Sequence, residues 1–417
     1  MGSTHEVVIT GVGIVSPIGV GLADFWASVV AGRSGVARTE MNVMPSKIGA
    51  ELKDFNPKQY VRPRKSLKVM CREIQIAYAA AVMAADEAKL GELDIDRDRI
   101  GSVLGSQMLY SEVEEFHDLY KACVQENGRF RYESFGESLS SMNPLWMLKY
   151  LPNMPSCHIA IGLDARGPNN SIVLGDASCL LATIEAINCI RRGMADIMVC
   201  GGTGSRLNAT PRVYRGDFDV SRKRNHDPSA ASRPFDADRD GMVQGEGAGA
   251  LILERADHAR ARGAKILCRI GGYGSAMDVG EDVESRKLAI EASIKQAVGP
   301  ESVNVEQISH VNAHGLSTIG NDQAEAQAIR ATLDSVSVTA PKSLFGNLGP
   351  GSGTIELAAS IIAMENEVVP ATINFANADP ACPVNVVTQQ QPCDKPYVLA
   401  LNQSGTGQTA SLLIARP

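Results

Sequence analysis

The chain has 417 residues, of which 44% are hydrophobic and 21% charged, and a formal net charge of −7. That length buries one large core or two fused ones, and the acidic balance argues against a nucleic-acid binder. Nine scattered cysteines form no CxxC pair and no zinc spacing. They lie mostly in apolar runs and read as reduced core residues of a cytoplasmic protein. No apolar run is long enough to span a bilayer, and the N-terminus shows no signal-peptide pattern.

A strand is expected over Glu6–Ile9 and Ile14–Val15, turning at Gly11-Val12-Gly13. It is no dinucleotide fingerprint, because Ser16 and Pro17 stand where the glycine and the helix should follow. A short helix over Phe25–Ala31 comes next. Residues 45–65 read as irregular, with Pro45, Pro57 and Pro63. Leu67–Lys89 has helical periodicity and runs into the polar connection GELDIDRDR. Ile100–Gly105 reads as a strand, and residues 107–155 as short helices and loops. Ser171–Leu174 is a short β-prone run broken by Gly175. Ala177–Arg192 is apolar nearly all round, as a buried helix would be, and Ala195–Cys200 is a largely apolar strand. Residues 203–232 read as a polar surface excursion.

The second half repeats the alternation. Strands are expected at 250–253, 268–272, 308–312, 336–339, 368–373 and 397–401, with a final strand closing the chain. Helices are expected at 285–297, 322–333 and 354–364. Strands alternating with helices make the class α/β. Each half opens with a strand into a turn, VVITGVGIVSP and ISHVNAHGLST, and each later carries a buried helix and an edge hairpin. This hints at a repeated architecture.

Four features carry potential chemistry. Asp176 stands between strand and buried helix, where helix N–H groups favour negative charge, yet Asp is also a preferred N-cap. His314 follows a strand end and is the best acid–base candidate of seven histidines. Lys342–Asn347 precedes a glycine run that lets backbone approach a ligand. Arg62, Arg64, Lys65, Lys68 and Arg72 form a basic cluster suited to an acidic partner, or simply a solvated face. DADRDG at 236–241 imitates the start of a calcium loop, but position twelve is Gly247, and a salt-bridged turn is the better reading; no metal site is expected.

The motifs VVITGVGIVSPIG, GPNNSI…D…GMADIMVCGG, SRPFDADRDGMVQGEGAGALILE, VNAHGLST, PKSLFGNLGPGSG and LNQSGTGQT resemble, in order and spacing, those of β-ketoacyl-[acyl-carrier-protein] synthases. These are condensing enzymes of fatty-acid and polyketide biosynthesis. The resemblance implies the thiolase fold: two similar halves, 1–255 and 256–417, in five layers (αβαβα), dimeric through the first half. It implies no resident cofactor, since the acyl carrier protein brings its own phosphopantetheine. The basic cluster at Arg64, Lys65 and Lys68 corresponds to the family's carrier-docking patch.

The departures from the family pattern fall at the site. The nucleophilic cysteine corresponds to Asp176, and Cys179 lies one turn on. The first catalytic histidine corresponds to His314 and the second to Asn347. Lys342 and the helix carboxylate Glu325 are kept. Two gating phenylalanines of the acyl pocket are Ser404 and Thr406. Asn for the second histidine is tolerable, because related thiolase-fold enzymes use Cys-His-Asn. Asp for Cys is not, because a carboxylate attacks a thioester poorly and would give a labile anhydride.

Ordinary condensation is therefore not expected. The preferred expectation is altered, non-Claisen chemistry on carrier-bound acyl chains: hydrolysis, dehydration or decarboxylation. Asp176 and His314 would share proton transfer, and Asn347 with the backbone of Asp176, Ser404 and Gly405 would hold an oxyanion. The alternatives are a non-catalytic partner subunit like a chain-length factor, in a heterodimer rather than a homodimer, and an acyl-carrier-binding module.

Overall fold

The computed structural model describes residues 5–39, 46–92, 95–211, 219–280 and 282–417. Pro45, part of the GELDIDRDR connection and residues 212–218 of the expected surface excursion lie outside them.

The first half contributes β1 (Val7–Ser16), α1 (Arg72–Glu87), β2 (Ile100–Gly105), α2 (Met154–Leu163), β3 (Asn169–Ile172), α3 (Ser178–Arg191), β4 (Ile197–Ser205) and β5 (Glu246–Arg255). The second contributes β6 (Cys268–Met277), α4 (Val283–Val298), β7 (Ile308–Asn312), α5 (Ile319–Leu333), β8 (Ser337–Thr339), α6 (Ser352–Glu365), β9 (Asn385–Val386), β10 (Tyr397–Gln403) and β11 (Gln408–Ala415). These strands follow one path, β9-β8-β7-β10-β11-β6-β1-β5-β4-β2-β3. From each outer edge inward the order is the same: β3-β2-β4-β5-β1 and β8-β7-β10-β11-β6, with β9 added outside the second. The senses match as well, with two parallel pairs and then two antiparallel ones. The two sets meet where β1 pairs antiparallel with β6, Val8 to Arg269 and Ile9 to Cys268.

Both faces of each sheet are buried, which explains the continuous apolar runs. Alternate residues go to different cores. Met198, Cys200, Leu251 and Leu253 join Val398, Ala400, Leu412 and Ile414 in a central core with α3 and α6. Ile197, Val199, Ala250 and Ile252 face α1 in one outer core. Leu399, Leu401 and Leu413 face α4 and α5 in the other. Helix, sheet, helices, sheet, helices: this is the five-layered arrangement the resemblance implies. Close approach of α1 needs small residues on β1, for a Cβ on Gly13 would lie 1.9 Å from the Ala80 carbonyl oxygen.

Several expectations change. The helix expected from Leu67 starts at Arg72, because residues 64–69 form a 3-10 turn. The strand expected at 368–373 shrinks to Val368–Val369. The hairpins expected at the edges are β4–β5 and β10–β11, which lie inside the sheet; β3 and β9 form the edges. The excursion expected from residue 203 begins later, since Thr203 and Ser205 are buried in β4.

Candidate functional site

The ends of β4, β7 and β10 and the start of α3 converge on one buried cluster. Asp176 lies in the 3-10 turn Gly175–Ala177, and Gly175 takes φ 65°, a backbone setting that favours glycine. The capping alternative for Asp176 is corrected here. The N-cap of α3 is Ala177 without a side-chain cap, and the Asp176 carboxylate turns away. One of its oxygens pairs with the Arg206 guanidinium, and the other accepts from Asn347 Nδ2 at 2.9 Å. Asp176 is only 4% exposed.

Asn347 is oriented by its own carbonyl oxygen, which accepts from the Gly349 N–H at 2.9 Å and the Ser352 hydroxyl at 3.3 Å. Its amide protons go to Asp176 and to Met242 Sδ. The expected role of Asn347 as an oxyanion donor therefore meets an amide already committed. The Ser404 N–H is likewise committed, donating to the Gln408 carbonyl at 2.8 Å. Gly405 sits exposed at the tip of that turn. At the two positions the resemblance assigns to a gate, Ser404 Oγ packs against Gly175 and lies 2.7 Å from Thr406 Oγ1, which donates to Gln408 Oε1 at 2.6 Å.

The second corner is a closed network. His314 is 1% exposed, and its Nδ1 lies 3.0 Å from Lys342 Nζ and 3.1 Å from Asn402 Nδ2. Both neighbours donate, so Nδ1 accepts and the proton of the neutral ring sits on Nε2. Nε2 is buried and has no hydrogen-bond partner among the described residues. Burial, reinforced by the charges of Lys342, Arg206 and Arg286, holds the imidazole well below its usual range. Lys342 spends its three protons on Nδ1, on the His314 carbonyl at 2.8 Å and on Glu356. Burial pushes Glu356 up to about 7 against the pull of Lys342. Glu325 accepts the N–H groups of His314 and Gly315 at 2.7 and 2.8 Å, and burial raises it to about 7.

Three members of the cluster escaped the sequence reading. Arg206 opened what read as a surface segment. Glu356 is a carboxylate in the mostly apolar body of its helix, and Asn402 is one of two amides ending an apolar strand; each of those mismatches was a usable signal. Cys179 is fully buried, and burial pushes its thiol up to about 12, so it offers no replacement nucleophile.

The first half also holds an apolar cavity of about 370 Å³, lined by Met108, Leu109, Phe116, Trp146 and Tyr150 among others. Gln107, which precedes the lining residue Met108 in the chain, donates from Nε2 to the Ser205 carbonyl at 2.8 Å. Arg64, Lys65 and Lys68 are exposed and have no ion-pair partner among the described residues. Arg72 leaves that cluster, because it grips Glu246 at 2.9 and 3.2 Å. In the 236–241 turn, Asp236 binds Arg233 and the Ala376 and Asn377 N–H groups, while Asp240 binds Ser221 and the Arg222 N–H.

The family model for the N-terminal domain of β-ketoacyl synthases matches residues 4–259, and that for the C-terminal domain matches 267–376. A relative in Synechocystis sp., 3-oxoacyl-[acyl-carrier-protein] synthase 2, is 37% identical over 398 residues, covering 92% of this chain and 91% of its own. The crystal structure of a β-ketoacyl synthase from Burkholderia phymatum is 27% identical with a TM-score of 0.88, covering 99% of this chain and all of its own. The ishigamide ketosynthase/chain length factor is 28% identical with a TM-score of 0.85, covering all of both chains.

Proposed function

The chain belongs to the β-ketoacyl synthase family, and from that premise we propose that it acts on carrier-bound acyl thioesters without forming an acyl-enzyme. One observation carries this reading. The carboxylate at the position corresponding to the nucleophile has both oxygens engaged, by Arg206 and Asn347. It is a poor nucleophile by nature, and here it is also a poor general base.

Among hydrolysis, dehydration and decarboxylation, that favours the reaction needing neither. In decarboxylation of a malonyl thioester the bond to the carboxylate carbon breaks and CO₂ leaves. Its electron pair becomes the thioester enolate, and water then protonates the carbon. The charge develops on the thioester oxygen. His314 Nε2–H, neutral and unspent, is the donor suited to it. The apolar cavity would take a chain or the walls of the pantetheine arm, and Arg64, Lys65 and Lys68 the acidic carrier. We also place the boundary between the halves at residues 255 and 256, a division supported by the strand order beginning again at β6.

The test is CO₂ release from a malonyl carrier protein. Release is expected from the native chain, with about a 100-fold loss on His314→Ala. No release from the native chain would reject the decarboxylase reading. A second reading, a non-catalytic partner subunit, is supported by likeness to the ketosynthase/chain length factor. It requires stable co-purification with a cysteine-bearing homologue.

A further inference from the structure

Asp176 does not hold its place alone. Arg206 and Asn347 reach it from two different loops, and one extended stretch registers both. The Arg206 N–H donates to the Gly245 carbonyl at 3.0 Å, the Gly245 N–H to the Asn347 carbonyl at 2.9 Å, and the Asn347 N–H to the Val243 carbonyl at 2.7 Å. Gln107 fixes the Ser205 carbonyl just before Arg206. The Arg206 side chain is 20% exposed and its partner's 5%, so the pair is largely out of water. A guanidinium stays charged at any working pH and binds carboxylate in a fixed plane. The start of α3, fourteen residues long, adds favourable potential at the same place.

We propose that Arg206 is the positioning residue of this site, a built-in counter-cation that holds an anionic side chain at position 176. Asp176 and Arg206 then form one unit, and the unit, rather than the acid alone, stands where the family's cysteine does. The proposal rests on the reading that Asp176 is no nucleophile, and it explains how that carboxylate stays pinned beside Asn347. The same cation would stabilise any other anion at the position, a thiolate included.

The experiment uses the full chain carrying Asp176→Cys, alone and combined with Arg206→Met or Arg206→Lys. Alkylation by iodoacetamide forms a thioether at the introduced Sγ and releases iodide. Its rate is followed against pH, and peptide mass separates residue 176 from the native cysteines. With Arg206 present the thiol should react at pH 6.5 about 10-fold or more faster than with Arg206→Met, and its titration midpoint should be lower. Arg206→Lys should restore most of the rate, which a merely structural role would not. Should Arg206→Met unfold the chain, Arg206→Gln takes its place in the same comparison. Equal midpoints with and without the guanidinium, or no reaction at any pH while Arg206 is present, would overturn the proposal. Neither result depends on CO₂ release, so the proposed function is judged separately.

Discussion

Two buried ion pairs sit side by side in this site, and they differ in kind. Lys342–Glu356 is sealed, with side-chain exposures of 1% and 3%. It closes a network with His314 and Asn402 in which every lysine proton is spent. Arg206–Asp176 is more open at 20% and 5%, and among the described residues it shares no hydrogen bond with the imidazole. The sealed corner holds His314 and Lys342, which the resemblance implies. The corner where the resemblance implies a nucleophile holds Asp176, paired with Arg206 and Asn347. On the proposed reading, one step of the reaction is lost while the rest of the site stays in place.

Breaking the sealed pair should have the largest effect. Lys342→Met leaves Glu356 buried without its cation, and a loss of about 3–5 kcal/mol is expected from urea midpoints. Arg206→Met should cost less, about 1–3 kcal/mol, because the arginine it removes is partly hydrated, at 20% exposure. Equal losses would erase the distinction between the two corners.

The next effect is a pH dependence. The carboxyl of Glu325 is raised to about 7 by burial, so between about 4.5 and 7 the folded chain binds more protons there than the unfolded one. Its contribution is full below the unfolded value and is lost as pH rises to about 7. His314 works oppositely: its depressed value gives stability that is present above the usual histidine range and lost as pH falls below it. Glu325→Gln should therefore gain about 3 kcal/mol on native protein between pH 4.5 and pH 8, read from melts at the two values. A difference independent of pH would contradict the assignment.

Smaller still is the carrier patch. Lys65→Glu with Lys68→Glu should weaken binding of an acidic carrier protein about 10-fold at low salt, and less at high salt. Unchanged affinity at low salt would remove the patch from the account. Smallest of all, Cys179 in the native chain should resist alkylation at pH 7, being buried with its thiol pushed up to about 12. Ready labelling would mean that this corner opens.

Much of this was legible in the chain. Ile100–Gly105 and Ile308–Asn312 lie at their expected bounds; the first is a nearly unbroken run of small and apolar residues, as a strand buried on both faces requires. His314 and Lys342 were marked by glycine-rich surroundings at strand ends. Arg206 was not, because an arginine after Gly-Thr-Gly-Ser looks like the start of a solvated loop. Only the pairing of β4 with β5 carries it back beneath Asn347. Glu356 was hidden by its helix, whose apolar periodicity draws the eye from a single carboxylate. The capping alternative for Asp176 failed for a related reason: local propensity favours a cap, and a partner thirty residues on outweighs it.

The central claim is that the site handles acyl thioesters without a covalent intermediate, and intact mass tests it most directly. Native protein incubated with acyl and malonyl carrier proteins, then quenched in acid, should return the unmodified chain mass. An acyl adduct on the chain, traced by peptide mapping to Asp176 or to Cys179, would contradict it.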